Sequence, residues 1–166
     1  MLGAAMVRIF RAALFLALTV VSCAHATEDA RLAVVQRLYQ DYAWETESEI
    51  YKRTPFFSDK SSVLRKYLTQ SLSRLVIDDQ QCTERIGGIC NLDFDPMWNS
   101  QDPEGAKFRV VGIGPNNSVA VEIAYPGQRA VTLAFDVVNT EAGWRINDIR
   151  SPRPNWSLRK ILSSKP

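Results

Sequence analysis

Apolar residues recur at Leu32, Val35, Leu38, Tyr39 and Tyr42 with polar residues between them, a spacing that predicts one amphipathic helix from Arg31 to about Trp44. A second face of this kind, Leu64, Tyr67, Leu68, Ser71, Leu72, Leu75 and Val76, predicts a long helix capped by Ser61. Tyr51 to Phe57 is broken by Pro55 and reads as a loop or a short helical turn. From Lys107 the period changes to two. Val119, Val121, Ile123 and Tyr125, then Val131, Leu133, Phe135 and Val137, alternate with smaller or polar residues, as in strands with one buried face. Four strands are predicted: Phe108 to Ile113, Ser118 to Tyr125, Ala130 to Val138 and Trp144 to Ile149. Gly114-Pro115-Asn116-Asn117, Pro126-Gly127 and Asn139 to Gly143 separate them, and links this short make neighbours antiparallel. After Pro152 and Pro154, Trp156 to Leu162 is expected to form a closing helix. The expectation is an α+β domain with N-terminal helices packed on one face of a curved, mainly antiparallel sheet.

The first apolar run belongs to none of this. Arg8 and Arg11 precede an almost wholly apolar stretch from Ala12 to Val21, and Ala24-His25-Ala26 supplies the small-x-small pattern at which signal peptidase cuts. The run falls well short of the roughly 20 residues of a spanning helix, so the mature form is expected to carry no transmembrane anchor. The reading is a cleaved signal at 1–26 and one domain at 27–166, periplasmic or secreted. A competing cut exists, because Val20-Val21-Ser22-Cys23 resembles a lipobox that would lipidate Cys23 and tether the chain to the bacterial envelope. Thr27-Glu28-Asp29, read as a helix N-cap with acids in its first turn, leaves little tether and favours the cut after Ala26.

Subtracting the signal changes the composition. Without Arg8 and Arg11 the 20 basic residues become 18, equal to the 18 acids, so no electrostatic case for nucleic acid remains. Of three cysteines only Cys82 and Cys90 stay, and an even pair in an exported chain reads as a disulfide, which pins Gly87-Gly88. Its spacing is not the C-x-x-C of a redox pair. The single histidine, His25, leaves with the signal. That removes the usual general base, the Ser-His and Cys-His nucleophile pairs and the commonest transition-metal ligand, so neither metal nor cofactor is expected.

Two stretches hold candidate chemistry. Glu45, Glu47 and Glu49 could bind a cation or a basic partner, but read first as a solvated helix end. Leu92-Asp93-Phe94-Asp95-Pro96-Met97-Trp98-Asn99-Ser100-Gln101-Asp102-Pro103 interleaves acids and amides with large apolar groups. As a calcium loop it fails at the third ligand, Met97, and lacks the turn glycine. In the structural reading Asp95-Pro96 and Asp102-Pro103 form turns whose carboxylates satisfy backbone N–H groups, while Phe94, Met97 and Trp98 plug the core. In the functional reading Asp93, Asp95, Asn99 and Asp102 line a pocket at the open end of the sheet, facing Tyr39, Tyr42 or Arg145. Arg145 and Arg150 serve equally well as surface partners of Asp148.

Leu92-Asp93-Phe94-Asp95-Pro96, Gln101-Asp102 and the closing stretch Gly143 to Pro152, in this chain order, resemble the domain-of-unknown-function-3828 family of small exported bacterial proteins and lipoproteins. The chain is also similar to the wider nuclear-transport-factor-2-like class. The resemblance implies a cystatin-like or cone-shaped α+β fold, a bent sheet wrapping helices around a pocket, and assigns no activity to any residue. Pocket enzymes of the wider class place His beside Asp or Tyr, which this mature chain cannot do. The leading expectation is therefore a non-enzymatic exported module that binds a small ligand or an envelope protein around Asp93 to Asp102. The alternatives are an immunity-type inhibitor of a cell-wall-targeting toxin, and a histidine-free isomerase or dehydratase using Asp93 or Asp95 with a tyrosine.

Overall fold

The computed structural model describes residues 18–47 and 53–164, with side chains from Ala30 onward. The n-region and most of the signal's apolar run lie outside the described residues, as do Glu49, Tyr51 and the side chain of Cys23. Helix α1 spans Leu18–Tyr42 and contains neither Gly nor Pro, so nothing in its sequence interrupts it. The N-cap expected at Thr27 is accordingly absent, because the helix already runs through the nine residues before it. Val34, Val35, Leu38, Tyr39 and Tyr42 are buried against the sheet. Among the described residues no helix is long and apolar enough to cross a membrane.

The second predicted helix is two. Helix α2 is a single turn, Ser61–Leu64, and α3 spans Gln70–Ile86. Between them Tyr67 to Thr69 runs beside the sheet: Ile146 N donates to Tyr67 O (2.8 Å), Thr69 N donates to Ile146 O (2.9 Å), and Leu68 forms a parallel bridge to Ile146. Sheet pairing replaces the intrahelical bonds here, and Leu64, Tyr67, Leu68 and Leu72 stay buried in both arrangements. The cap also moves. Ser61 caps nothing, and Thr69 Oγ1 accepts from Leu72 N (3.2 Å) to start α3. At the other end Gly87 closes the helix in the left-handed region (φ 66°), which a residue without Cβ adopts at no steric cost.

Strands β1 (Lys107–Ile113), β2 (Val119–Ala124), β3 (Val131–Thr140), β4 (Gly143–Pro152) and β5 (Asn155–Ser157) pair antiparallel in sequence order. The fold is α+β, with helices packed against a five-stranded antiparallel sheet. The predicted alternation holds, because Val119, Val121, Ile123, Leu133, Phe135 and Val137 all face the core. Two register shifts, leaving Val111 and Asn147 unopposed, are bulges of the kind that bend a strand. The fifth strand comes from the start of the predicted closing helix, which is shortened to α4 (Leu158–Leu162) and capped by Ser157 Oγ accepting from Lys160 N (3.3 Å). Cys82 and Cys90 pair with a Cα–Cα distance of 6.0 Å, within the range of a disulfide, and join the last turns of α3 to the loop that follows it.

Candidate functional site

Trp98 and Met97 are fully buried, as the structural reading of their segment requires. Trp98 meets Tyr39 edge to face at 5.2 Å between ring centroids, and Tyr39 stacks on Phe108 at 4.7 Å. The Tyr39 hydroxyl donates to Met97 O (2.7 Å) and the Tyr125 hydroxyl to Trp98 O (2.9 Å), fixing this backbone to α1 and to the end of β2. Asp95 N donates to Ser100 O (2.8 Å), and Asn99 takes a positive φ of 54°, so residues 95–100 form a tight loop.

Glu45 corrects the reading of the acidic cluster as a solvated helix end. It lies in a 3-10 turn that continues α1 (Ala43–Thr46) and is 2% exposed. One carboxylate oxygen accepts from Phe56 N (2.6 Å) and the other from Trp98 Nε1 (2.7 Å). An N–H with no other acceptor and an indole with a donor only have drawn the acid inward. Asp95 hydrogen-bonds to Glu45 side chain to side chain and accepts from Met97 N (2.8 Å) and Trp98 N. Burial, followed by the Glu45 charge, holds the Asp95 carboxyl well above its ordinary range. Burial also raises Glu45, against the lowering effect of the Phe56 and Trp98 donors.

The two carboxyls stand at the wall of a cleft of about 440 Å³. Phe57 and Ser58 form one side, Asp79, Gln80, Thr83 and Glu84 of α3 another, and Leu92, Phe94, Gln101 and Pro103 the third. Gln80 Nε2 donates to Phe57 O (2.7 Å) and Asp59 O (3.1 Å), tying α3 to the first wall. Asp79 Oδ1 accepts from both Asn91 N (2.9 Å) and Asn91 Nδ2 (3.0 Å), and with the Cys82–Cys90 pair this fixes the loop leading into the third.

Of the seven residues expected to bind a ligand, only Asp95 lines this cleft. Asp93 is exposed. Asp102 is exposed as well, its carboxylate accepting from Glu104 N (3.2 Å) in a turn. Asn99 Oδ1 accepts from Trp156 Nε1 (2.8 Å). Tyr42 donates to Asp59 (3.3 Å), and burial raises its hydroxyl above the ordinary tyrosine range. Arg145 donates to Arg65 O (3.0 Å) and Trp144 O (2.8 Å), so it pairs with neither Asp148 nor the 92–103 segment. Phe94 packs edge to face on Trp156 (5.1 Å) at the cleft's rim and does not plug the core. Residues the sequence did not single out, Phe57, Asp79, Gln80 and Glu84, complete the site. Among the described residues no group of three or more His, Cys, Asp or Glu could hold a metal ion.

No family model and no curated protein matches the chain. Among solved structures it is similar to a protein of unknown function from Bacteroides thetaiotaomicron, at 21% identity over 80% of this chain and 98% of that one, with a TM-score of 0.47. A phospholipid-binding protein from Ralstonia solanacearum, solved with a phospholipid, aligns at 12% identity over 87% of this chain and 75% of that one, with a TM-score of 0.34. Likenesses this loose transfer neither a ligand nor a residue's role.

Proposed function

We propose that the chain is an exported, non-enzymatic binding domain, of the family its two motifs resemble, and that it takes a small organic ligand in the cleft between α3 and the loops around Phe57 and Phe94. The observation that carries this is the cleft itself, about 440 Å³, with apolar walls (Phe57, Leu92, Phe94) and polar groups spaced among them (Gln80, Glu84, Gln101). That mixture lets apolar area supply affinity while a few polar groups fix orientation.

Catalysis is less well supported by the same geometry. Asp93 points to solvent, Asp95 is held on backbone amides, and no tyrosine lines the cleft. The tyrosines that approach Asp95, Tyr39 and Tyr125, give their hydroxyl protons to Met97 O and Trp98 O and not to a substrate position, which is not the arrangement that an isomerase or dehydratase needs.

The test is a thermal-shift screen of the mature domain against a broad panel of metabolites, sugars and peptides, repeated with Gln101→Lys. Gln101 is exposed at the rim, so a long cation there fills the mouth without disturbing the core. A ligand at 100 times its Kd stabilises by about 2.7 kcal/mol, a rise in Tm of several degrees. The reading predicts such a rise in the parent and its loss in the variant. A panel that moves neither protein, or moves both equally, overturns it.

A further inference from the structure

Glu45 touches both loops that wall the cleft: Phe56, beside the wall residue Phe57, through one oxygen, and Trp98, in the 92–103 loop, through the other. Its third partner, Asp95, sits in that second loop and is itself fixed by two amides. We propose that Glu45 and Asp95 form a clasp closed by a single shared proton, so that the cleft's two loops are held together when the pair carries that proton and loosened when it leaves. This rests on the binding reading only in calling the gated space a ligand site; the clasp itself stands on the contacts.

Both Glu45 oxygens already accept N–H donors, so the proton that joins the two acids is assigned to Asp95, whose Oδ1 accepts from Met97 N. When that proton goes to solvent, two carboxylates face each other at the wall of the cleft, Glu45 buried and Asp95 half-buried. Like charges so placed repel strongly, and the softest response is movement of the 92–103 loop. No cation faces the pair among the described groups that interact with it. Tyr39 and Tyr42 approach from α1 and Tyr125 from the end of β2, while Asp79 and Glu84 face it across the cleft from α3. None of these side chains is a cation, so none relieves the second charge.

The direction follows from linkage. The folded pair keeps a proton that the unfolded chain has released above the ordinary carboxyl range. Stability is therefore fully present below about pH 4 and falls as pH rises towards the raised value. One proton makes the folding equilibrium constant drop up to tenfold per pH unit over that window. Asp95→Asn keeps an N–H donor for Glu45 and an oxygen for the amides but cannot ionise.

The experiment follows urea unfolding of the mature protein and hydrogen exchange of the 92–103 amides from pH 4 to 8.5, in the parent and in Asp95→Asn, with no ligand present. The infrared band of a protonated carboxyl is recorded on the parent alongside. The expected result is a parent whose stability falls and whose 92–103 exchange accelerates beyond its intrinsic pH trend, a flat variant, and a carboxyl band that fades over the same pH interval. Should Asp95→Asn fail to fold, the parent's band and exchange profile decide alone. A parent with no protonated-carboxyl band above pH 5, or a variant with the parent's slope, overturns the clasp. A failed ligand screen leaves these readouts untouched.

Discussion

Two acid sites in the interior of this molecule are supplied with donors in different ways. Asp148 in β4, 8% exposed, accepts from Ile149 N (2.9 Å), Arg159 N (3.0 Å) and Ser157 Oγ (2.7 Å). Beside it the Arg159 guanidinium donates to Asn147 O (2.5 Å), Asn147 Oδ1 (2.8 Å) and Ser71 Oγ (2.5 Å), tying β4 to α3 and α4. Glu45 and Asp95 have only amides, an indole and each other. The first site supplies three donors to a single carboxylate. At the second, burial raises both carboxyls above their ordinary range. The difference teaches that a rigid joint and a responsive one can be built from the same side chains, according to how many N–H groups and cations the surrounding backbone delivers.

The sharpest way to break this contrast is to remove each acid. Asp148→Ala leaves three donors without their acceptor, two of them backbone amides, and is expected to cost about 4 kcal/mol in urea unfolding. A loss no larger than that of one hydrogen bond, about 1 kcal/mol, would mean that the three donors find other acceptors and would erase the distinction. Glu45→Ala orphans Phe56 N and the Trp98 indole and is expected to cost about 3 kcal/mol near pH 4.5. That cost should shrink towards pH 8. The parent's own stability has by then declined as pH passed through the raised carboxyl range, and the variant no longer contains the pair responsible.

How much of this was legible in the sequence depends on where the deciding partner sits. The strand alternation of β2 and β3 is fixed by neighbours two residues apart, and it was read correctly from Val119 to Val137. The split between α2 and α3 was not, because Leu64, Tyr67, Leu68 and Leu72 have helical spacing whether or not the chain is helical between them. What divides them is Ile146, nearly 80 residues further on. Glu45 presents the same difficulty. In a run with Glu47 and Glu49 it has the local signature of a solvated helix end, and its donors lie 11 and 53 residues away. Asp93 and Asp95 stand two apart in one motif, yet one is exposed and the other is clasped. The candidate segment could be recognised as unusual; which of its acids turned inward could not. A donor-only indole at Trp98 was the available hint that some acceptor had to come to meet it.

A smaller effect sharpens the boundary of the cleft. The Cys82–Cys90 pair closes a short loop, so reduction is expected to cost about 2.5 kcal/mol at most, on the chain-entropy account. Asp79 continues to hold Asn91, so the loss should concentrate in the amides of residues 83–90, read by hydrogen exchange with and without reductant. If the 92–103 amides are released to the same degree, the disulfide and not the carboxyl pair sets the position of that wall.

Thr69→Ala gives the smallest change and probes the break between α2 and α3. Its hydroxyl caps α3 through Leu72 N and lies within 3.3 Å of Arg159 Nη2, so it joins the helix start to the rigid joint. Losing a threonine cap typically costs about 1 kcal/mol, and Arg159 keeps Ser71 and Asn147, which limits the further loss. Alanine also favours continuing the helix through Tyr67 to Thr69, in competition with the bridge to Ile146. The urea midpoint should fall with an unchanged m value, and the Thr69-capped amide of Leu72 should exchange faster. Faster exchange at Ile146 as well would mean that the cap, and not the sheet edge, holds the two helices apart. Unchanged exchange there assigns the break to the backbone pairing with β4.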